Sequence, residues 1–287
     1  MAALFHKMVV AGVGLIGASL ALAAREHKLV EEIVGYGRSE KNLRYALDKG
    51  IIDSYFHKPE ELPKDADFLM LGTPVAAIAP LTKEFLPYIR PGCIVSDVGS
   101  VKAEIIRGME KLLPPTLPFV GAHPIAGGEQ WGAEPARANL FIGQRCILTP
   151  TKKTDPAALE KVSTLWKKVG AEVEELDADT HDKILGLVSH LPHVLVYGLV
   201  NFMNRARVNS TEVIEYCGGG FKDFTRIASS RPELWRDICL LNRDAVSGGL
   251  ADYIKELEKL KRLVDEGKGP EIEREFALAN EARRRLS

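Results

Sequence analysis

The chain has 287 residues, a formal net charge of −1 and 27% charged side chains. This length allows a large buried core and favours two domains, while the near-neutral charge excludes a global basic field that would recruit nucleic acid or an anionic membrane. No apolar run reaches the roughly 18 residues that span a bilayer, and no leader peptide precedes the first strand. We therefore expect a cytoplasmic protein that contacts neither membrane nor nucleic acid.

The cysteines are scattered and form no CxxC pair. They are Cys93, Cys146, Cys217 and Cys239. This spacing is typical of small apolar core residues rather than of disulfides or metal ligands. The sequence predicts no metal site.

A glycine motif follows the first predicted strand, residues 7–11, and opens a predicted helix over residues 15–24. In such a motif the first glycine permits a tight turn, the second lets the backbone approach a pyrophosphate, and the third lets the helix pack on its strand. Phosphate oxygens would bind free N–H groups at the positive end of the helix. The motif predicts a dinucleotide site, with a merely structural turn as the alternative. The candidate contacts are Gly12, Gly14, Leu15, Ile16 and Gly17.

The residue after the second predicted strand, 33–36, helps to distinguish the two nicotinamide cofactors. An acidic side chain there would bind the adenosine ribose and favour NAD, but this chain has Gly37 followed by Arg38 and Ser39. Arg38 can pair with a 2′-phosphate, and Ser39 can add a hydrogen bond. Alternatively, Ser39 caps the helix predicted over 40–49 and Arg38 lies in solvent. The pattern favours NADP, or use of both cofactors.

Strands then continue to alternate with helices, which predicts an α/β fold with a doubly wound, mainly parallel sheet. Ligands of such sheets bind beyond the carboxyl ends of the strands, where Thr73, Ser100 and His123 fall. Thr73 either lines the cofactor groove or closes a turn. The remaining strands are predicted over residues 67–71, 94–96, 119–122, 145–148 and 171–176, with an amphipathic helix over 156–169.

His123 is the leading candidate for the group that handles the substrate proton during hydride transfer. Imidazole titrates near neutral pH, and His123 follows a predicted strand on the cofactor side of the sheet. Ser100 can orient this ring or, alternatively, cap the helix that starts at Val101. Alternatively, His123 has only a structural role, with its ring hydrogen-bonded inside the fold.

The strand–helix alternation ends after the last predicted strand, so we expect domains over residues 1–177 and 178–287. Apolar residues at helical spacing predict a central helix over 181–205, kinked at Pro192. This helix is apolar around most of its girth, which is typical of a bundle centre or a subunit interface. Further helices are predicted over 232–267, with Gly248-Gly249 as a candidate break, and over 271–286.

The helical half also carries candidate substrate-binding residues. Ser189 and His193 are four residues apart on one helix face, and a ligand or another helix must satisfy this polar seam. Arg226 follows the glycine-rich segment 218–220 and is the natural clamp for a carboxylate, with a surface ion pair as the alternative. Trp235 lines either a pocket or the core.

Five motifs, in this order, resemble the prephenate dehydrogenase family of tyrosine biosynthesis, which includes arogenate and cyclohexadienyl dehydrogenases. The resemblance covers nearly the whole chain and implies a Rossmann domain followed by a helical domain that forms a homodimer. The motifs are Gly12-Val13-Gly14-Leu15-Ile16-Gly17, Asp97-Val98-Gly99-Ser100-Val101-Lys102, His123-Pro124-Ile125-Ala126-Gly127, Ser189-His190-Leu191-Pro192-His193 and Gly218-Gly219-Gly220-Phe221-Lys222-Asp223-Phe224-Thr225-Arg226-Ile227-Ala228.

The resemblance implies oxidative decarboxylation of prephenate to 4-hydroxyphenylpyruvate, with hydride transfer to NAD or NADP. His123 would take the proton of the ring hydroxyl, and Ser100 would hold the imidazole. The implied substrate-binding residues are Arg226 at a carboxylate, Ser189 and His193 from the helical domain, Glu129 at the mouth of the pocket, and Trp235 near the substrate.

Other functions remain open at the level of sequence. The first is arogenate oxidation, which forms tyrosine directly. A β-hydroxyacid dehydrogenase would need a lysine base, for which Lys183 is the only candidate, and a nicotinamide-sensing regulator would bind the cofactor without turnover. Some relatives have threonine where this chain has Gly128, which leaves tyrosine inhibition open, and NAD-using members often have an acidic residue at Gly37.

Overall fold

A six-stranded sheet forms the centre of the N-terminal half in this computed structural model, which describes residues 3–128 and 130–286. Its strands are β1 (Phe5–Ala11), β2 (Val30–Tyr36), β3 (Ser54–Phe56), β4 (Phe68–Leu71), β5 (Ile94–Asp97) and β6 (Phe119–Val120). They lie in the order β3-β2-β1-β4-β5-β6, and every pair is parallel. The strand order reverses between β1 and β4, so the crevice at their carboxyl ends is where such sheets bind ligands.

Helices cover both faces of this sheet. They are α1 (Leu15–Glu26), α2 (Glu40–Asp48), α3 (Val75–Phe85), α4 (Ala103–Leu112) and α5 (Pro156–Lys168). On β1, Met8 and Val10 belong to the core cluster that includes α1 and α5, whereas Val9 and Ala11 belong to the one that includes α3 and α4. Successive strand residues point to opposite faces, so the sheet is buried on both sides. The predicted doubly wound parallel sheet is confirmed.

A second, three-stranded sheet carries the candidate base. It consists of β7 (Ala122–Pro124), β8 (Arg145–Leu148) and β9 (Glu172–Glu175), with β7 antiparallel to β8 and β8 parallel to β9. The prediction of one strand over 119–122 is wrong, because Gly121 separates β6 from β7 and the two lie in different sheets. His123 therefore lies inside a strand rather than after one.

The C-terminal half is helical, with one short hairpin. Its elements are α6 (Ala178–Leu185), α7 (Leu191–Arg205), β10 (Arg207–Val208), β11 (Thr211–Glu212), α8 (Gly219–Thr225), α9 (Pro232–Leu241), α10 (Arg243–Asp265) and α11 (Gly269–Arg284). A π-helical turn, Gly186–His190, joins α6 to α7. Pro192 lies in the first turn of α7, so the irregular π-helical turn directly precedes the proline at which the kink was predicted.

The break in the long C-terminal helical run also lies elsewhere than predicted. It occurs at Asn242, between α9 and α10, and not at Gly248-Gly249, which α10 passes through. The side-chain amide of Asn242 donates to the backbone carbonyl of Asp182 at 2.7 Å. This bond fixes the position of the break against α6. A Cβ at Gly249 would lie 2.8 Å from Leu187 Cδ2, so this glycine permits close helix packing.

The helical run Ala178–Arg205 is long and apolar enough to cross a membrane when judged by length and composition alone. The sequence estimate that no such run exists is therefore wrong on that criterion. Only 28% of its most apolar stretch is buried in the single chain, and Leu187, Val188 and Phe202 are 53%, 67% and 67% exposed. Core helices and subunit interfaces of water-soluble proteins meet the same criterion.

Candidate active site

Two glycines of the motif at residues 12–17 are required by close backbone approach. Gly12 has φ of +105°, and a Cβ there would lie 2.7 Å from the carbonyl carbon of Gly72. A Cβ at Gly17 would lie 2.4 Å from the Gly12 oxygen, whereas a Cβ at Gly14 would meet nothing within 4 Å. No side chain of the described chain caps the N-terminus of α1. The backbone N–H groups of its first turn are therefore available for a phosphate.

Replacing Gly17 with alanine is expected to lower the free energy of unfolding by about 1–3 kcal/mol, because the new methyl group overpacks the turn against Gly12. Gly14→Ala is the matched comparison, since its methyl group enters open space and should leave stability unchanged while weakening NAD binding. Thermal unfolding and a cofactor titration measure both effects. Equal stability of Gly17→Ala and the wild type would contradict this packing argument.

Thr73 lies beside the glycine turn, directly after Gly72. Its hydroxyl oxygen is buried and has no hydrogen-bond partner among the described residues. A buried hydroxyl without a partner is costly, so a ligand group is expected to complete its bonding. The open space at Gly14, the uncapped helix and this hydroxyl together fit a dinucleotide.

The end of β2 contains a polar cluster that was only partly anticipated. Ser39 caps α2 by accepting from the Asn42 amide at 3.3 Å, which is the alternative left open by the sequence, and Arg38 is exposed. The Glu40 carboxylate lies 2.8 Å from His57 Nε2 and accepts from Tyr55 at 2.8 Å. Hydrogen bonds from His57, Tyr55 and Arg44 lower the pKa of Glu40 to about 2.

Gly128 and Ala133 lie beside the glycine turn. The Asn42 side chain donates to the Val13 carbonyl at 2.7 Å and accepts from the Ala133 amide at 2.8 Å. A Cβ at Gly128 would lie 3.6 Å from the Leu15 side chain. Glu129 itself is outside the described residues, so its predicted place at the pocket mouth remains a prediction.

His123 is buried, and His181 holds its ring. His123 Nδ1 lies 2.8 Å from His181 Nε2, and His181 Nδ1 lies 2.8 Å from Asp182 Oδ1. Within residues 3–128 and 130–286, the hydrogen-bond partner of the His123 ring is thus His181. At His123 Nδ1 it is therefore His181, and not Ser100 as predicted, that orients the ring. Any other role of Ser100 remains a prediction.

The surroundings of His123 favour its neutral form. Burial lowers the pKa of His123 well below its usual value, and the nearby His181, Lys102 and His190 lower it further. Burial also lowers the pKa of His190 to about 4. A neutral imidazole keeps one nitrogen free to accept a proton at physiological pH.

A fully buried ion pair lies beneath this site. Lys102 Nζ bonds to Asp97 Oδ2 and donates to the Ala122 carbonyl at 2.7 Å, directly before His123 in the chain. Burial lowers the pKa of Lys102, and the Asp97 carboxylate opposes that shift. The pair therefore ties the carboxyl end of β5 to β7.

Trp235 lies between two histidines of the helical half. Its ring stacks on His193 with centroids 3.4 Å apart, and its centroid is 6.2 Å from that of His190. The His193 Nδ1–H bonds to the Ser189 carbonyl at 2.9 Å, as their helical spacing suggests. His190 is also close enough to His123 to lower its pKa. The predicted substrate-binding residues Trp235 and His193 therefore lie beside a histidine that is near the candidate base.

Arg226 begins a short 3-10 turn, Arg226–Ser229, directly after α8, and this turn packs against α7. Its side chain is exposed in the single chain. Binding of a carboxylate by Arg226 remains a prediction.

Sequence reasoning did not identify His181 and Asp182 as site residues, nor a role for Lys102 and Asp97. The signal for the first pair is a His–Asp dipeptide at the start of an otherwise apolar helical run. Lys102 and Asp97 stand in a motif from which only Ser100 was selected. In the described part of the chain, no three His, Cys, Asp or Glu side chains are grouped so that they could hold a metal ion.

The parallel sheet, the glycine turn and the neutral buried histidine define a dinucleotide-dependent dehydrogenase. Comparison with known proteins narrows this class. The family model for the prephenate dehydrogenase nucleotide-binding domain matches residues 20–175, and that for the prephenate dehydrogenase dimerization domain matches residues 177–278. The chain belongs to the prephenate dehydrogenase family and is an oxidoreductase.

The individual relatives include a prephenate dehydrogenase and a cyclohexadienyl dehydrogenase. Prephenate dehydrogenase of Bacillus subtilis is 33% identical over 96% of this chain and 75% of that protein. Cyclohexadienyl dehydrogenase of Zymomonas mobilis is 32% identical over 97% of this chain and 95% of that protein.

Solved structures agree with this assignment. Prephenate dehydrogenase of Aquifex aeolicus, in complex with hydroxyphenyl propionate and NAD+, is 35% identical, with a TM-score of 0.94 and 98% of each chain covered. Synechocystis arogenate dehydrogenase is 29% identical, with a TM-score of 0.82 over 98% of this chain and 100% of that chain. A 3-hydroxyisobutyrate dehydrogenase from Salmonella typhimurium, at 14% identity and a TM-score of 0.58, shares the fold alone. The lysine base of the β-hydroxyacid alternative is not supported, because Lys183 is exposed.

Proposed function

We propose that this protein oxidises prephenate to 4-hydroxyphenylpyruvate and CO₂, with hydride transfer to NAD. The observation that carries the proposal is His123, a neutral buried imidazole in the edge strand β7 of the three-stranded sheet, in a chain of this family whose six-stranded sheet carries a dinucleotide-binding glycine turn. When bound, NAD supplies the hydride acceptor. The tasks left to the protein are positioning and one proton transfer.

The chemistry needs one base that can return its proton. As the hydride leaves the ring carbon that bears the hydroxyl, His123 takes the hydroxyl proton and a ring carbonyl forms. The bond between the ring and its carboxylate then breaks, CO₂ leaves, and the electron pair passes through the ring to the carbonyl oxygen. His123 returns its proton to this oxygen, which gives the phenol of the product and restores the neutral base.

The substrate-binding roles are part of the proposal. Arg226 would bind a substrate carboxylate by charge-assisted hydrogen bonds. Stacking of Trp235 on His193 supports a pocket wall for the substrate from the helical half. Ser189 and Glu129 complete the proposed set of substrate contacts, and Ser100 is the second proposed catalytic residue.

We propose NAD as the main cofactor and NADP as the second candidate. The Aquifex relative was solved in complex with NAD+, which supports NAD for this chain. Exposed Arg38 is the one feature of this turn that favours NADP.

The proposed assembly is a cytoplasmic homodimer with domains over 1–177 and 178–287. The match to a dimerization domain and the exposed apolar side chains of the run Ala178–Arg205 support a second subunit on this surface. Tyrosine has the same phenol ring as the product, so it would compete for the substrate site as an inhibitor.

Initial rates with prephenate or arogenate, each with NAD or NADP, test the proposal. We expect the highest kcat/KM with prephenate and NAD, and inhibition when tyrosine is added. Highest activity with arogenate would favour the second candidate substrate, which the Synechocystis relative suggests. No turnover in any of the four combinations, with NAD binding intact, would refute the proposed function.

A further inference from the structure

The N-terminus of α4 is capped by a side chain from the other half of the molecule. Asp182, in α6, accepts from the Lys102 amide at 2.7 Å through Oδ1 and from the Ala103 amide at 2.9 Å through Oδ2. Backbone N–H groups can only donate, so both carboxylate oxygens act as acceptors. A carboxylate is also favoured at a helix N-terminus by the helix dipole.

This capping determines which nitrogen of His181 carries hydrogen. His181 Nδ1 lies 2.8 Å from the accepting Asp182 Oδ1, so Nδ1 must donate. A neutral imidazole carries one ring hydrogen, which leaves His181 Nε2 as an acceptor. This nitrogen faces His123 Nδ1 at 2.8 Å, so His123 Nδ1 must carry the hydrogen of its own ring. His123 Nε2 is then left with its lone pair.

We propose that His181 and Asp182 are positioning residues that hold His123 in the tautomer with an unprotonated Nε2, the nitrogen that takes the substrate proton. The inference rests on the proposed function of His123 as the base. A carboxylate that orients a basic histidine through the opposite ring nitrogen is a known arrangement in hydrolases, but here a second histidine is interposed.

The charged groups around the pair are consistent with this arrangement. The Lys102 ammonium, paired with Asp97, lies below β7, and burial keeps His190 of the π-helical turn neutral by lowering its pKa to about 4. A second proton on His181 would place another positive charge near Lys102. It would also turn His181 Nε2 into a donor, which would force the hydrogen of His123 onto Nε2 and abolish the base.

The arrangement also joins the two halves of the chain. His123 and α4 belong to the sheet half, whereas His181 and Asp182 belong to the first helix of the helical half. The base is therefore set in its working tautomer only when α6 is docked on the sheet half.

Two substitutions of His181 separate tautomer control from a merely structural role. In His181→Leu no acceptor faces His123 Nδ1, and we expect kcat with prephenate and NAD to fall about 10- to 100-fold with little change in KM. His181→Gln places an amide oxygen near the former Nε2, and we expect it to recover most of the lost kcat. His6→Leu changes an exposed histidine at the amino end of β1; it is the control and should match the wild type in kcat.

Nitrogen-15 NMR of the histidine rings tests the tautomer without relying on activity. Spectra of the wild type are compared with those of His123→Asn to assign the His123 signals. We expect a protonated Nδ1 and an unprotonated Nε2. A protonated Nε2 in the wild type, or equal kcat for His181→Leu and the wild type, would overturn the inference. Absence of wild-type turnover would instead refute the proposed function, while the NMR result would still decide the tautomer.

Discussion

Replacing His123 with asparagine is expected to lower kcat about 10²- to 10⁴-fold, the usual contribution of a general base. The asparagine amide can still donate to His181 Nε2, so the local hydrogen bond survives while the proton acceptor is lost. NAD affinity should change little, because the glycine turn and Thr73 do not depend on this ring. Steady-state kinetics with prephenate and a cofactor titration by fluorescence measure the two quantities.

Thermal unfolding of His123→Asn provides the control for this experiment. A midpoint equal to that of the wild type would show that the lost activity is not lost structure. Wild-type kcat in His123→Asn would contradict the assignment of the base.

Replacing Lys102 with methionine is expected to lower the free energy of unfolding by about 3–5 kcal/mol, because it leaves the carboxylate of Asp97 buried without its counter-charge. The change also removes the donor to the Ala122 carbonyl. Denaturation in urea, with the slope compared between variants, measures the effect. The matched control is Lys153→Met, which breaks a surface pair with Glu110 and should leave the transition unchanged.

The double variant Lys102→Met with Asp97→Asn shows whether charge is the cause. Removal of both charges should restore part of the stability, and the coupling between the two sites should appear in a double-mutant cycle. A Lys102→Met protein that unfolds at the same urea concentration as the wild type would contradict a stabilising role for the pair.

Much of the fold was predictable because its signals are local. The glycine turn combines three glycines at fixed spacing with a flanking strand and helix, and the structure shows a physical need for Gly12 and Gly17. The parallel strands of the sheet are short apolar runs between polar turns, so most of them were placed to within a few residues. Strand β3 was missed, since three residues give too little pattern to detect.

Irregular elements were not predictable because distant contacts cause them. The π-helical turn Gly186–His190 packs tightly on α10, because a Cβ at Gly186 would lie 2.7 Å from that of Ala245. The break at Asn242 depends on its bond to the backbone of Asp182, 60 residues away. Periodicity instead favoured the two glycines at 248 and 249, which the helix tolerates.

The candidate active site was likewise predictable only where its signals are local in the sequence. His123 could be selected from its residue type and its place near a strand end, although the strand boundaries were wrong. His181 lies 58 residues further along the chain, and only the docking of α6 brings its ring to His123. The hydroxyl oxygen of Ser39 caps α2, which is one of the two roles considered for it, and its contact with a cofactor remains a prediction.

The central claim is that this chain couples hydride transfer to loss of the ring carboxylate. The most direct measurement is the stoichiometry of NADH, CO₂ and 4-hydroxyphenylpyruvate formed from prephenate by the purified protein. We expect the three products in equal amounts with the wild type, and in the same ratio but about 10²- to 10⁴-fold more slowly with His123→Asn. NADH formed without CO₂, or equal rates of product formation by the two proteins, would contradict this account.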